Sequence, residues 1–177
     1  MLALSLFFTI GHSTRSIAEL VELLRAENVE LVVDVRAIPR SRSNPQFNID
    51  TLPASLREHG IDYVHAAALG GRRGRGREPS PNTFWQNQSF RNFADYAMSE
   101  AFAEGFDALR GLGQEKRCAV MCSEAVWWRC HRRIITDYLI FSGEPVVHLF
   151  SIGKSEIAKP TPAAVPESDG TVIYPAQ

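Results

Sequence analysis

Lysine is nearly absent from this chain, cysteine is sparse and odd in number, and neither sign of charge is in excess. Lysine stands only at 116, 154 and 159, so the 19 basic residues set against 20 acidic ones are overwhelmingly arginine. A net charge of −1 and a pI near 6.5 exclude a global electrostatic attraction to nucleic acid or membranes and leave only local patches for either. The arginine preference fits either bidentate oxyanion recognition or a coding bias. Three cysteines in a chain without a secretory signal argue against a disulfide framework and for free thiols in a reducing compartment, the cytoplasm. No segment reaches the ~20 apolar residues of a membrane span, so no membrane partner is expected. The apolar start, Met1 to Phe8, lacks a basic leader and a small-residue cleavage site and reads as a strand.

What is present is enough for one substantial core: 177 residues, 45% of them hydrophobic. The unbroken apolar run from Leu4 to Ile10, closed by Gly11, predicts a strand buried on both faces. Ser16 and Glu19 form a capping box ahead of a helix whose core stripe is Ile17, Leu20, Val21 and Leu24. With a second strand over 31–36 this is a βαβ unit, hence parallel with a right-handed crossover. The pattern continues with a helix over 51–59, a strand over 61–65, helical segments over 90–112, a strand over 118–122, a long helix over 124–141 and a fifth strand over 145–150. The expected architecture is a single α/β domain over 1–150. It is Rossmann-like, with a mostly parallel five-stranded sheet and helices on both faces. Residues 151–177, with prolines at 160, 162, 166 and 175, read as an extended or partly disordered extension, although residues 171–174 have the composition of an edge strand.

Ligands of open α/β sheets bind beyond the carboxyl ends of the strands, where loops converge and helix N-termini offer free N–H groups. That rule selects His12 and Ser13 after the first strand, Asp34, Arg36, Ser41 and Arg42 at and after the second, and Cys122 and Glu124 after the fourth. Cys122, between a strand end and the start of the expected helix, is placed to feel the helix dipole and become a reactive thiolate; a packed thiol and a metal ligand are its alternatives. Cys118 and Cys130 fall on core positions. Glu124 and His131, seven residues apart, share a face of the expected helix beside the core stripe, suited to proton transfer, or else serve only as a cap and a local donor. Arg132 lies nearest His131, and Arg133 points to solvent. Asp34 interrupts a run of valines and needs a partner, which Arg36 on the same side of the strand supplies. That pair is either structural or ligand-positioning.

Three blocks carry a resemblance that none carries singly: residues 9–15 (TIGHSTR), residues 33–36 (VDVR) continuing through 38–45 (IPRSRSNP), and residues 121–124 (MCSE) followed by Cys130, His131 and Arg132. They resemble the DUF488 family, as do residues 69–73, Ser89 to Arg91 and Tyr96, over about residues 7–150. The resemblance implies an α/β fold and a site at His12, Ser13, Asp34, Arg36, Ser41, Cys122, Glu124, Cys130, His131 and Arg132, without naming a reaction. Ser123 departs from the alanine frequent there. Cysteine phosphatases and rhodanese-type sulfurtransferases also carry a strand-end cysteine, and the phosphatases need an arginine six residues after it. Arg129 here is seven after Cys122, behind two tryptophans, so the likeness stays an analogy.

These residues support three readings. The first is an enzyme on a small anionic or nucleotide-like substrate, with Arg36, Arg42 and Arg132 on the oxyanion, Glu124 and His131 moving protons and Cys122 as nucleophile. The second is a nucleic-acid module in which Arg72, Arg73, Arg75 and Arg77 contact phosphates and Trp85 or Phe84 stacks on bases. The third is a metal site from His12, Cys122, Cys130 and His131, against which the eight-residue cysteine spacing argues. Nothing in the sequence points to a cofactor or sets an oligomeric state.

Overall fold

The computed structural model describes residues 5–177. β1 (Phe7–Gly11), β2 (Leu31–Asp34), β3 (Asp62–His65), β4 (Cys118–Cys122) and β5 (Val146–Ser151) are parallel, and β6 (Lys154–Ile157) closes one edge antiparallel to β5. The sheet order is β3-β2-β4-β1-β5-β6. The first strand begins at Phe7 among the described residues; the expected start at Leu4 lies outside them, as do the first four residues of the segment weighed against a signal peptide.

Alternation within the buried strands divides the apolar side chains between two cores. Phe8, Ile10, Val32, Ala119 and Met121 meet α1 (Ile17–Ala26) and α2 (Leu52–Arg57) on one face. Phe7, Val33, Val120 and Cys122 meet α3 (Gln88–Tyr96), α4 (Glu100–Glu115) and α5 (Arg132–Phe141) on the other. The capping box forms as its sequence requires: Ser16 Oγ accepts from the Glu19 amide at 3.1 Å, and Glu19 Oε1 accepts from the Ser16 amide at 3.2 Å.

Three expectations need correction. The sheet has six strands rather than five, because the chain turns back after Ser151 and pairs β6 through backbone alone; all four β6 residues are exposed, so no hydrophobic pattern announces it. The tail is extended but packed. Thr161, Ala163, Val172 and Tyr174 are buried, and β7 (Val165–Pro166) pairs with β8 (Val172–Ile173) rather than with the main sheet. The helix expected over 124–141 begins only at Arg132, after an irregular stretch and one 3-10 turn at Trp127–Arg129. The carbonyl of Glu124, which such a helix would give to residue 128, accepts instead from Arg132 Nη2 at 2.7 Å. Trp127 leaves the helical path to stack on His148, with centroids 4.7 Å apart.

Candidate active site

A cavity of about 450 Å³ opens over the carboxyl ends of β1, β2 and β4. Its walls come from His12, from residues 36–41 after β2, from Gly71 and Arg72 of the long loop, from Ser89 and Phe90 at the start of α3, and from Cys122 to Glu124 and Arg129 to His131.

The β2 side is held by a buried ion pair. Arg36 Nη2 donates to Asp34 Oδ2 at 2.7 Å and Nε donates to both carboxylate oxygens, at 2.9 and 3.2 Å. The Arg36 amide and the Tyr63 hydroxyl also donate to Asp34, the latter at 2.5 Å. This saturation is what makes a fully buried carboxylate tolerable. Burial, followed by the contact with Asp34, pushes the Tyr63 phenol well up. Arg36 Nη2 also donates to the Phe47 carbonyl, and Nη1 donates to His12 Nε2 at 3.3 Å. One Nη1 hydrogen is left for the cavity. His12 donates from Nδ1 to the Ser13 carbonyl at 2.9 Å and stacks on Phe47, so its tautomer is set; burial is the main cause that lowers its pKa and keeps it neutral. Asp34 itself does not reach the cavity wall.

The β4 side carries sulfur. Cys122 Sγ and Cys130 Sγ are 2.6 Å apart, and the two residues are only 3% and 5% exposed. Cys130, not Cys122, sits at a helix N-terminus, where the free amide of Arg132 donates to its sulfur at 3.4 Å. His131 Nε2 lies 2.9 Å from the Val35 carbonyl and 3.1 Å from that of Leu69. Two acceptors at one nitrogen require a proton there, which leaves Nδ1, 3.6 Å from Cys130 Sγ, as the ring nitrogen that faces the thiol. The ring is confined: Phe93 meets it edge-on at 4.9 Å, and a Cβ on Gly71 would lie 2.6 Å from Nδ1, so only glycine leaves it room. Gly11 has the same role for the loop above, since a Cβ there would lie 1.6 Å from the Glu124 carbonyl oxygen.

Behind the sulfurs lies Arg132, 1% exposed and without a carboxylate partner among the described residues. Its guanidinium donates to neutral oxygens only, Thr9 Oγ1 at 3.2 Å and the Glu124 carbonyl, and Nε has no partner. Thr9 in turn donates its hydroxyl hydrogen bond to His148 Nδ1 at 2.6 Å. Burial, then the charge of Arg132, depress His148 to about 3, so it is neutral. Burial opposes the charge on Arg132, and the two thiols are the groups that outweigh this. The consequence divides the pair. Burial and then Cys130 push Cys122 up; burial opposes ionisation of Cys130 too, but the contacts with Cys122, His131 and Arg132 prevail and hold it down. Cys118, at the far end of β4, is pushed up to about 12 by burial.

The structure brings His12, Arg36, Ser41, Cys122, Glu124 and His131 to one cavity, and Arg132 directly behind it. Glu124 and His131 meet there although no helix joins them. Ser13, at φ 49°, and Arg42 lie off the wall. Ser41 uses Oγ to accept from the Asn44 amide. Arg72, Arg129, Phe90 and Ile38 are wall residues to which the sequence assigned other roles or none, while Cys130, a core position by its spacing and a site residue by the family resemblance, also lines the wall. Arg133 is half-buried rather than solvated, donating to Thr161 Oγ1 and lying over Trp85. Trp85 is buried against Phe90, so it offers no face for base stacking, and Arg73 is held over Tyr96 and by the carbonyls of Ala67 and Gly70. Among the described residues no group of three or more His, Cys, Asp or Glu side chains is arranged to hold a metal ion, and no helix is long and apolar enough to cross a membrane.

A protein-family model described as Domain of unknown function DUF488 matches residues 16–139. No curated protein and no solved structure matches the chain.

Proposed function

The chain belongs to the DUF488 family, and from that premise we propose that its cavity is the active site of an enzyme that attacks a small anionic substrate with a cysteine thiolate. The observation that carries this reading is the buried guanidinium of Arg132, which has no carboxylate partner among the described residues and faces two thiols. A cation so placed is costly unless an anion accompanies it, and a thiolate at Cys130 is the anion its surroundings offer. In this reading the nucleophile is Cys130 rather than Cys122. His131 takes the thiol proton at Nδ1. The free hydrogen on Arg36 Nη1 and the side chains of Arg72 and Arg129 hold the substrate's anionic group, while Phe90 and Ile38 wall its body. Glu124 lines the mouth, and the proton that His131 has accepted goes to the leaving group. The cavity volume suits a nucleotide-sized ligand as its upper limit.

The test is the pH profile of alkylation at each cysteine in the folded protein, read by peptide mass, with iodoacetate and iodoacetamide compared. Cys130 should react first, with a midpoint below the ~8.5 of a free thiol, and should favour the anionic reagent relative to a reference thiol. Inertness of Cys130 until the protein unfolds would remove the proposal.

A further inference from the structure

Nucleophilic attack on carbon or phosphorus needs one sulfur, and this cavity floor has two in contact. From the juxtaposition of Cys122 and Cys130 beneath a cationic mouth, we infer that they form a two-electron dithiol/disulfide couple whose oxidant is a small anionic disulfide. The inference rests on the nucleophile assignment above and adds the substrate class and the second sulfur's part.

The step balances without a further oxidant. The Cys130 thiolate attacks one sulfur of R–S–S–R; the bond from Cys130 to that sulfur forms, the substrate S–S bond breaks, and one thiolate R–S⁻ leaves with the electron pair. It takes the proton that His131 had accepted from Cys130. Cys122, 2.6 Å away, then passes its proton to His131 and attacks Cys130 Sγ. The Cys122–Cys130 bond forms, the mixed disulfide breaks, and the second R–S⁻ leaves and is protonated in turn. The protein dithiol is oxidised to a disulfide and the substrate is reduced to two thiols. A low-molecular-weight thiol returns the pair to its starting state by the reverse sequence.

The placement of the sulfurs selects this chemistry. A mixed disulfide on Cys130 puts an electrophilic sulfur within immediate reach of Cys122, whereas a carbon or phosphorus adduct would leave Cys122 idle. Cys118 cannot compete for the adduct, since it opens the strand that Cys122 closes, about 13 Å away at the rise of a β-strand. The two thiols are 3% and 5% exposed at the bottom of a cavity, so a disulfide held in a folded protein cannot approach them. Arg72 and Arg129 at the mouth, with Arg36 below, favour a ligand that carries carboxylates or similar groups beside its S–S bond.

The probes are 3,3′-dithiodipropionate, a small dianionic disulfide, and cystamine, a dication of similar length, each offered to the reduced full chain and compared with a free reference thiol. Intact and peptide masses should show loss of two hydrogen atoms, a Cys122–Cys130 link and two released thiols per chain. The dianion should react at least about tenfold faster than the dication after normalisation to the reference thiol. C122S should stop at a mixed disulfide on Cys130, and C130S should leave Cys122 unmodified. A wild-type chain that stops at a mixed disulfide on Cys130 would overturn the couple while leaving the nucleophile in place. Equal rates for the two probes would overturn the anionic substrate class. If no cysteine reacts before unfolding, both this inference and the proposed function fall. The wild-type arm decides between these without relying on any variant to fold.

Discussion

At the scale of single residues, the behaviour of this site turns on a charge that has no ordinary partner. Arg132 is buried and donates only to Thr9 and to the Glu124 carbonyl, so the thiolate proposed at Cys130 is the counter-ion within its reach. Replacing it with methionine, which keeps length and removes charge, should lower the alkylation rate of Cys130 at pH 7 by at least about tenfold, the change expected for one unit of thiol pKa. The urea midpoint should change little, because a buried charge exchanged for apolar volume is often close to neutral. An unchanged alkylation rate in R132M would show that the thiolate has another source. Cys122 and Arg36 were legible in the sequence as polar groups at strand ends, and His131 as a residue sharing a face of the expected helix with Glu124. The ionisation proposed for Cys130 was not, because it depends on a neighbour eight residues back, an arginine without a carboxylate, and a tautomer set by the carbonyls of Val35 and Leu69.

At the scale of elements, the tail shows how packing overrides composition. Four prolines suggested a loose extension, yet Asp137 on α5 accepts from the Thr161 amide at 2.8 Å and from the Tyr174 hydroxyl at 2.8 Å, and binds the tail to the helix. Burial raises Asp137 above the ordinary carboxylate range, against the opposing contacts of Thr161, Tyr174 and Arg133. The folded chain therefore holds this proton more tightly than the unfolded one. As pH rises through the window between the unfolded pKa, about 3.9, and the raised folded one, the unfolded carboxyl ionises first and the fold loses stability; above the window the penalty is constant. Lowering the pH from 7 to 4 should thus stabilise the wild type relative to D137N, which cannot titrate, and urea unfolding of both proteins at the two pH values measures the difference. A difference that stays flat would mean that Asp137 titrates alike in both states. The misplaced start of α5 has the same origin. Apolar spacing through 127–141 is helical throughout, but Trp127 finds His148 and the Glu124 carbonyl finds Arg132, and these distant partners take the first turns away.

At the scale of the whole molecule, a chain of net charge −1 places Arg36, Arg40, Arg72 and Arg129 around one cavity, so the anion binding proposed for it would be a property of that cavity rather than of the surface at large. Inorganic phosphate at a hundredfold excess over its dissociation constant should add about 2.7 kcal/mol to stability, a Tm rise of roughly 5–11 °C for a chain of this length. Sodium chloride of matched ionic strength should not reproduce the rise, and R72A/R129A should lose most of it. An equal shift in that double variant would place the anion elsewhere. The sequence by itself determined the α/β class, the succession of the parallel strands along the chain with their approximate extents, and the strand ends at which chemistry gathers. Those follow from hydrophobic period and capping, which act over a few residues. Only the tertiary structure decided that β6 extends the sheet, that the tail is packed, and that Cys130 shares a cavity floor with Cys122 above a buried arginine. These depend on where the loop after β4 crosses Gly11 and on which polar groups are left with one another once water is excluded, and no local pattern carries that information.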